Sequence, residues 1–274
     1  MTELTQLYPQ PMQTLALEGT YLAHDLRRYA QESGKAFVYS NFVVSIDGRI
    51  AIPHADGKGL RVPPATANDR DWRLYQELAA QADILISSSR YLHEQAEGKA
   101  QEILQIDDPK FADLRNWRKR HGLSPQADIA VVSHKLDFPI PDVLTANGRK
   151  LVIFTTEQAD AKKIKALTSD WVQVIVAGKD EVDGAAMVAH MIERGYHTIY
   201  SGAGPQIMHL LVKANVLNRL YVTQANKLLG GDPYAGIVDG DLFDPPVNLK
   251  LNTLYFDAAG LDGLGQLFMS YDAV

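Results

Sequence analysis

No cysteine occurs among the 274 residues, which excludes disulfides and thiolate zinc sites and suits a cytoplasmic protein. No apolar run approaches the ~18 residues that a membrane span needs. The opening Met1-Thr-Glu-Leu-Thr-Gln-Leu-Tyr-Pro has neither the basic nor the apolar region of a signal peptide. A basic stripe is missing too, and the net charge of −6 argues against a nucleic-acid surface. The eight histidines form no H-E-x-x-H and share no metal spacing with carboxylates, so no metal is expected. No serine sits in a G-x-S-x-G elbow, which leaves a hydrolase triad without support.

What is present is ordinary globular composition, 46% apolar and 22% charged, in a chain long enough for one large domain. Residues 1–35 read as an N-terminal arm with one short helix, Tyr21 to about Glu32, closed by Gly34. The main domain is expected over 36–274. Strands are expected at Phe37–Ile46, Ile84–Ser89, Ile129–Ser133, Leu151–Thr155, Trp171–Ala177, from Thr198 and at Leu220–Asn226. Helices are expected from Asn68 or Asp69 to Ala82, at Ala159–Leu167 and at Gly184–Arg194, with Pro53–Pro64 as loop. Such alternation implies an α/β fold: a mostly parallel sheet, helices on both faces, and a C-terminal antiparallel hairpin (248–257 and 267–271) at an edge.

The segment Thr198-Ile-Tyr-Ser-Gly-Ala-Gly-Pro-Gln-Ile207 carries the strongest local signal. A strand runs into Gly202, Ala203 and Gly204, then into a helix opened by Pro205. Backbone N–H groups at such a helix end can seat a phosphate. The alternative is a tight turn in which both glycines supply only unusual backbone angles. The full G-x-G-x-x-G pattern is absent, because Ile207 stands at its third glycine. At the other end of the chain, Asp47 closes the strand from Phe37 at the rim where open α/β sheets bind ligands. An Asp-Gly turn needs no ligand, so that reading stays open as well. Asn41 and Ser45 share the face of Asp47 by the period of two.

Ser45-Ile-Asp-Gly-Arg-Ile-Ala near the start, with Ser201-Gly-Ala-Gly-Pro and Leu-Leu-Gly-Gly (228–231) near the end, resemble the reductase domain of riboflavin biosynthesis. The resemblance implies a dihydrofolate-reductase-like fold, NADPH as cofactor, a homodimer, and a phosphorylated pyrimidine as substrate. By this resemblance Asp47 orients the substrate as the catalytic carboxylate, beside Asn41, Ser45 and Ser201. The cofactor is expected at Ser88 and Arg90, Ser133 and Lys135, Thr155, and the Gly202-Ala203-Gly204 turn. The zinc deaminase often fused to this reductase has a P-C-x-x-C signature that the chain lacks, so only the reductase half is expected.

Several departures from the family matter. Ser201 stands at the family's usual Glu, and Asn218-Arg219 at an acidic pair. Glu77 or Leu78 stands at a phosphate-binding arginine, and the Asp-Pro-x-Leu-x-x-Arg run is absent, with Glu94 alone matching its acid. Arg61, Arg70 and Arg73 are the candidates to compensate. A reductase of the same fold with another substrate, and a non-catalytic small-molecule binder, are the alternatives.

Overall fold

The computed structural model describes residues 3–54, 57 and 59–274. Along the chain lie β1 (Glu3–Tyr8), β2 (Gln13–Ala16), α1 (Leu26–Ser33), β3 (Phe37–Ser45), β4 (Ile52–Pro53), β5 (Leu60–Arg61), α2 (Asp69–Gln81), β6 (Ile84–Ser88) and α3 (Ser89–Ala96). Then come α4 (Ala112–Arg120), β7 (Asp128–Val132), β8 (Leu151–Thr155), α5 (Ala161–Leu167), β9 (Val172–Val176), α6 (Gly184–Glu193) and β10 (Thr198–Ser201). The chain finishes with α7 (Pro205–Lys213), β11 (Arg219–Ala225), β12 (Leu249–Asp257) and β13 (Gln266–Ala273).

Eleven strands form one sheet in the order β2-β1-β12-β13-β11-β3-β10-β6-β7-β8-β9. From β11 to β9 all neighbours are parallel. β13, β12, β1 and β2 continue the sheet antiparallel. The terminal hairpin was expected at an edge and is not there, because the N-terminal hairpin pairs against β12 and takes that place. The expected loop Pro53–Pro64 contains the short β4–β5 ribbon, and its residues 55, 56 and 58 lie outside the described residues.

Alternation along the strands explains the two cores. Tyr39, Leu85, Ile129, Val131, Leu151 and Ile153 pack on one face with α2, α4 and α5. Val38, Ile84, Ile86, Ala130 and Phe154 pack on the other with α6 and α7. Each such Val, Leu, Ile or Phe side chain fully removed from water contributes about 1.5–3 kcal/mol.

The helix α2 positions much of the site. Asn68 caps it by accepting from the N–H groups of Arg70 (3.2 Å) and Asp71 (3.0 Å). Its buried face is unusually polar because the N-terminal segment lies across it. Glu77 accepts from the N–H groups of Gly19 (2.6 Å), Tyr21 (2.9 Å) and Leu22 (3.3 Å) and pairs with Arg73 at 2.9 Å. Gln81 accepts from Leu26 N–H and donates to Tyr21 O, both at 2.9 Å. Buried polar groups need such partners. The segment before β3 is thus built into the main body of the fold.

Candidate active site

The two end motifs of the sequence meet in space. Asp47 Oδ2 accepts from Leu229 N–H (3.1 Å), Gly230 N–H (2.8 Å) and Arg49 Nη1 (2.9 Å), while Ser45 Oγ donates to Oδ1 at 2.5 Å. Arg49 also donates to Gly231 O at 3.1 Å and stacks on Tyr234. These donors, Ser45 first, hold the Asp47 carboxyl down at about 2. Asp47 is ionised at every ordinary pH and bolts the turn after β3 to the Leu-Leu-Gly-Gly segment. The carboxylate expected to orient substrate is thus held in place by four donors from two distant segments.

The cleft itself opens one step back along β3. Asn41 and Val43 are its only half-exposed residues in an otherwise buried strand. Both lie on the α2 side by alternation from Tyr39. Val43 pairs with Thr223 of the neighbouring β11. The Asn41 amide oxygen accepts from the Tyr200 hydroxyl. Asp71 lies half-buried in the first turn of α2. Burial pushes its carboxyl up to about 6, the Thr223 hydroxyl opposing the rise. Sequence reading missed Asp71. Its only local signal is an acidic residue in a first helical turn, which usually means no more than a favourable helix dipole. Next to that turn is a cavity of about 540 Å³ lined in part by Asn68, Asp69, Arg70, Lys227 and Asp262.

The glycine turn sits beside this floor. Gly202 and Gly204 are both absent from the positive-φ glycines, so unusual angles do not explain them. A Cβ on Gly202 would stand 2.9 Å from the Tyr75 hydroxyl, so that glycine is required by close approach. A Cβ on Gly204 would meet nothing within 4 Å, and the residue caps α7 with φ −74 and ψ −175. Among the described residues, no acceptor takes the N–H of Ala203, Gly204 or Gln206. The hydroxyls of Ser201, Thr155 and the adjacent Thr156 are buried without a partner. Polar groups left in that state are costly unless something else satisfies them.

The other expected residues divide. Ser88 caps α3 through Tyr91 N–H at 3.4 Å, which is why the helix begins at Ser89. Arg90 is committed to Glu94 (2.6 Å) and Leu60 O (2.6 Å), tying the β4–β5 ribbon to α3. Ser133 accepts from Leu136 N–H at 3.1 Å. Lys135 is exposed, and Lys163 donates to its carbonyl at 3.0 Å, so two cations converge after β7. Of the candidate arginines, Arg70 is held by buried Asp257 at 2.7 Å, and Arg73 by Glu77 and Asp113. Arg61 is different, with a buried Nε that has no partner. Among the described residues no cluster of three or more His, Asp and Glu side chains is placed to hold a metal, and no helix is long and apolar enough to cross a membrane.

Comparison with known proteins finds the family model of the RibD C-terminal domain over residues 36–261. Among solved structures, a pyrimidine reductase-like protein from Corynebacterium diphtheriae aligns at a TM-score of 0.65 and 18% identity, over 87% of this chain and 92% of that one. The riboflavin biosynthesis reductase Rib7 of Saccharomyces cerevisiae aligns at 0.55 and 12%, over 92% and 99%. RibD from Acinetobacter baumannii aligns at 0.58 and 12%, over 92% of this chain and only 63% of that chain.

Proposed function

The chain belongs to the RibD C-terminal domain family, and from that premise we propose that it is an NADPH-dependent reductase of an amino-substituted pyrimidine. The observation that carries the reading is the set of unsatisfied groups around one helix end. The free N–H groups of Ala203, Gly204 and Gln206, with the lone hydroxyl of Ser201, form a seat for pyrophosphate oxygens. Thr155 and Thr156 supply two further unpaired hydroxyls at the end of β8. Lys135, with Lys163 beside it, is placed to favour a 2′-phosphate. Bound there, NADPH supplies the hydride from its nicotinamide ring.

The chain's own residues then have separable tasks. Asn41, half-exposed in β3, presents its amide to a heterocycle on the floor. Tyr75 and Tyr200 wall it, both kept neutral by burial. The Asp47 bolt fixes the end of β3, so the floor keeps its geometry. Family likeness makes 5-amino-6-(5-phosphoribosylamino)uracil, or its diamino-pyrimidinone relative, the first substrate to try. A second reading, the same chemistry on another substrate, is favoured by the commitment of Arg70, Arg73 and Glu77 to internal partners. Arg61 alone of the three candidate arginines remains for a substrate phosphate. A homodimer and a cytoplasmic setting belong to the same proposal.

The test is loss of NADPH absorbance with the phosphoribosylamino-uracil as substrate. Turnover at a kcat of about 1 per second or more supports the assigned substrate. Bound NADPH with no turnover of this compound but oxidation by other amino-heterocycles moves the assignment to the second reading. Bound NADPH that no heterocycle oxidises leaves a binding protein.

A further inference from the structure

The Tyr200 hydroxyl and the Asn41 amide meet at the cleft floor, and that contact decides which half of the amide a ligand finds. We infer that Tyr200 is a positioning residue for substrate specificity: it takes up the Asn41 oxygen and leaves the NH2 group facing the cleft. This rests on the proposed reductase reading and narrows its substrate class. The substrate is an oxo-heterocycle whose carbonyl oxygen, or an unprotonated ring nitrogen, lies over β3.

The strand β3 runs inside the sheet, between β10 and β11. The half-exposure of Asn41 therefore comes from an opening in the layer above the sheet and not from a sheet edge. Tyr200 has no exposed surface. Its ring stacks on Tyr39, with centroids 5.0 Å apart, and meets Tyr75 edge-on at 5.6 Å. Packing on both sides fixes the ring, and its hydroxyl donates to Asn41 Oδ1. The Tyr39 hydroxyl does not compete, because it donates to Leu78 O at 2.8 Å. Turning the amide over would aim its NH2 group at the phenol. The buried phenol hydrogen would then lack the one acceptor it has among the described residues, a costly state. The amide is locked with its oxygen inward.

Among the described residues nothing takes the Nδ2 hydrogens of Asn41. An amide NH2 group donates and does not accept. A ligand atom above it must bring a lone pair, whereas an amino group or a ring N–H would set donor against donor. An asparagine free to turn would serve either pattern. The Tyr200 hydroxyl removes that choice, and a site built for one hydrogen-bond pattern rejects the other.

The experiment is a double-mutant cycle on Tyr200→Phe and Asn41→Ala. It uses the amino-heterocycle that the wild type reduces, the phosphoribosylamino-uracil first, and reads substrate Kd by calorimetry together with KM and kcat. Tyr200→Phe is expected to raise Kd and KM about tenfold, the worth of one hydrogen bond, with the change on KM and not on kcat. In the Asn41→Ala background the same substitution is expected to change neither, since no amide is left to orient. Asn41→Asp, close in shape but without a donor, is expected to lose more than Tyr200→Phe. A thermal scan separates binding from folding. A Phe variant that melts lower yet binds substrate as the wild type does overturns the inference, because the hydrogen bond is then structural only. An equal tenfold loss on top of Asn41→Ala overturns it too, and so does wild-type substrate affinity in Asn41→Asp. Each of these results leaves the reductase reading intact. A wild type that oxidises no NADPH with any amino-heterocycle overturns both.

Discussion

Glu77→Ala is expected to destabilise the protein by about 3–5 kcal/mol, as removal of one partner of a buried ion pair does. Glu77 has no exposed surface, and it accepts from three backbone N–H groups as well as from Arg73. Alanine strands the Gly19, Tyr21 and Leu22 donors and removes one of the two carboxylates around Arg73. The loss spreads further than one pair, because this clamp holds Tyr21 against Tyr221 at 4.8 Å and Phe268 at 6.5 Å between ring centroids. Urea unfolding with an unchanged m-value measures it. Glu77→Gln keeps an acceptor for the backbone and loses less. A loss below about 1 kcal/mol for alanine, the size of an exposed ion pair, would mean that the N-terminal segment is not held by Glu77.

Gly204→Val is expected to weaken NADPH binding ~100-fold while leaving a folded protein. The backbone there is extended at ψ −175 with a negative φ, which valine adopts freely. An added Cβ meets no neighbour, and a poor N-cap costs about 1 kcal/mol. The branched methyls fill the open space before the Ala203, Gly204 and Gln206 N–H groups. Loss of two charge-assisted hydrogen bonds at roughly 1.5 kcal/mol each weakens binding ~100-fold. Gly202→Val is the poorer test, since its Cβ collides with Tyr75 and disturbs the substrate floor directly. Fluorescence titration of Gly204→Val against wild type decides it. Equal affinities would make the turn architecture only.

Much of this was legible in the chain, for identifiable reasons. The parallel strands β3, β6, β7, β8, β10 and β11 are largely apolar and buried, the pattern that parallel strands covered on both faces impose. The N-terminal hairpin was not legible. In β1 the buried residues are Leu4 and Gln6, while Leu7 is only half-buried, so alternation by hydrophobicity points the wrong way. Missing β1 and β2 moved the C-terminal hairpin to an edge. The site divided along similar lines. Gly202 and Gly204 announce themselves locally, because strand, glycines and helix-opening proline are contiguous. Asp47 announces itself as well, but its saturation by Ser45, Arg49, Leu229 and Gly230 needs two distant segments to meet. Environment, and not residue type, sets its chemistry.

The central claim is that the end of β10 and the start of α7 form a seat for a phosphorylated nicotinamide cofactor. Titration of the wild-type protein with NADPH and with NADH, followed by nucleotide fluorescence, tests it most directly. The account predicts saturable binding with NADPH clearly preferred over NADH. Binding of neither nucleotide would contradict it, and would leave the unpaired groups of Ser201, Ala203 and Gly204 without a ligand.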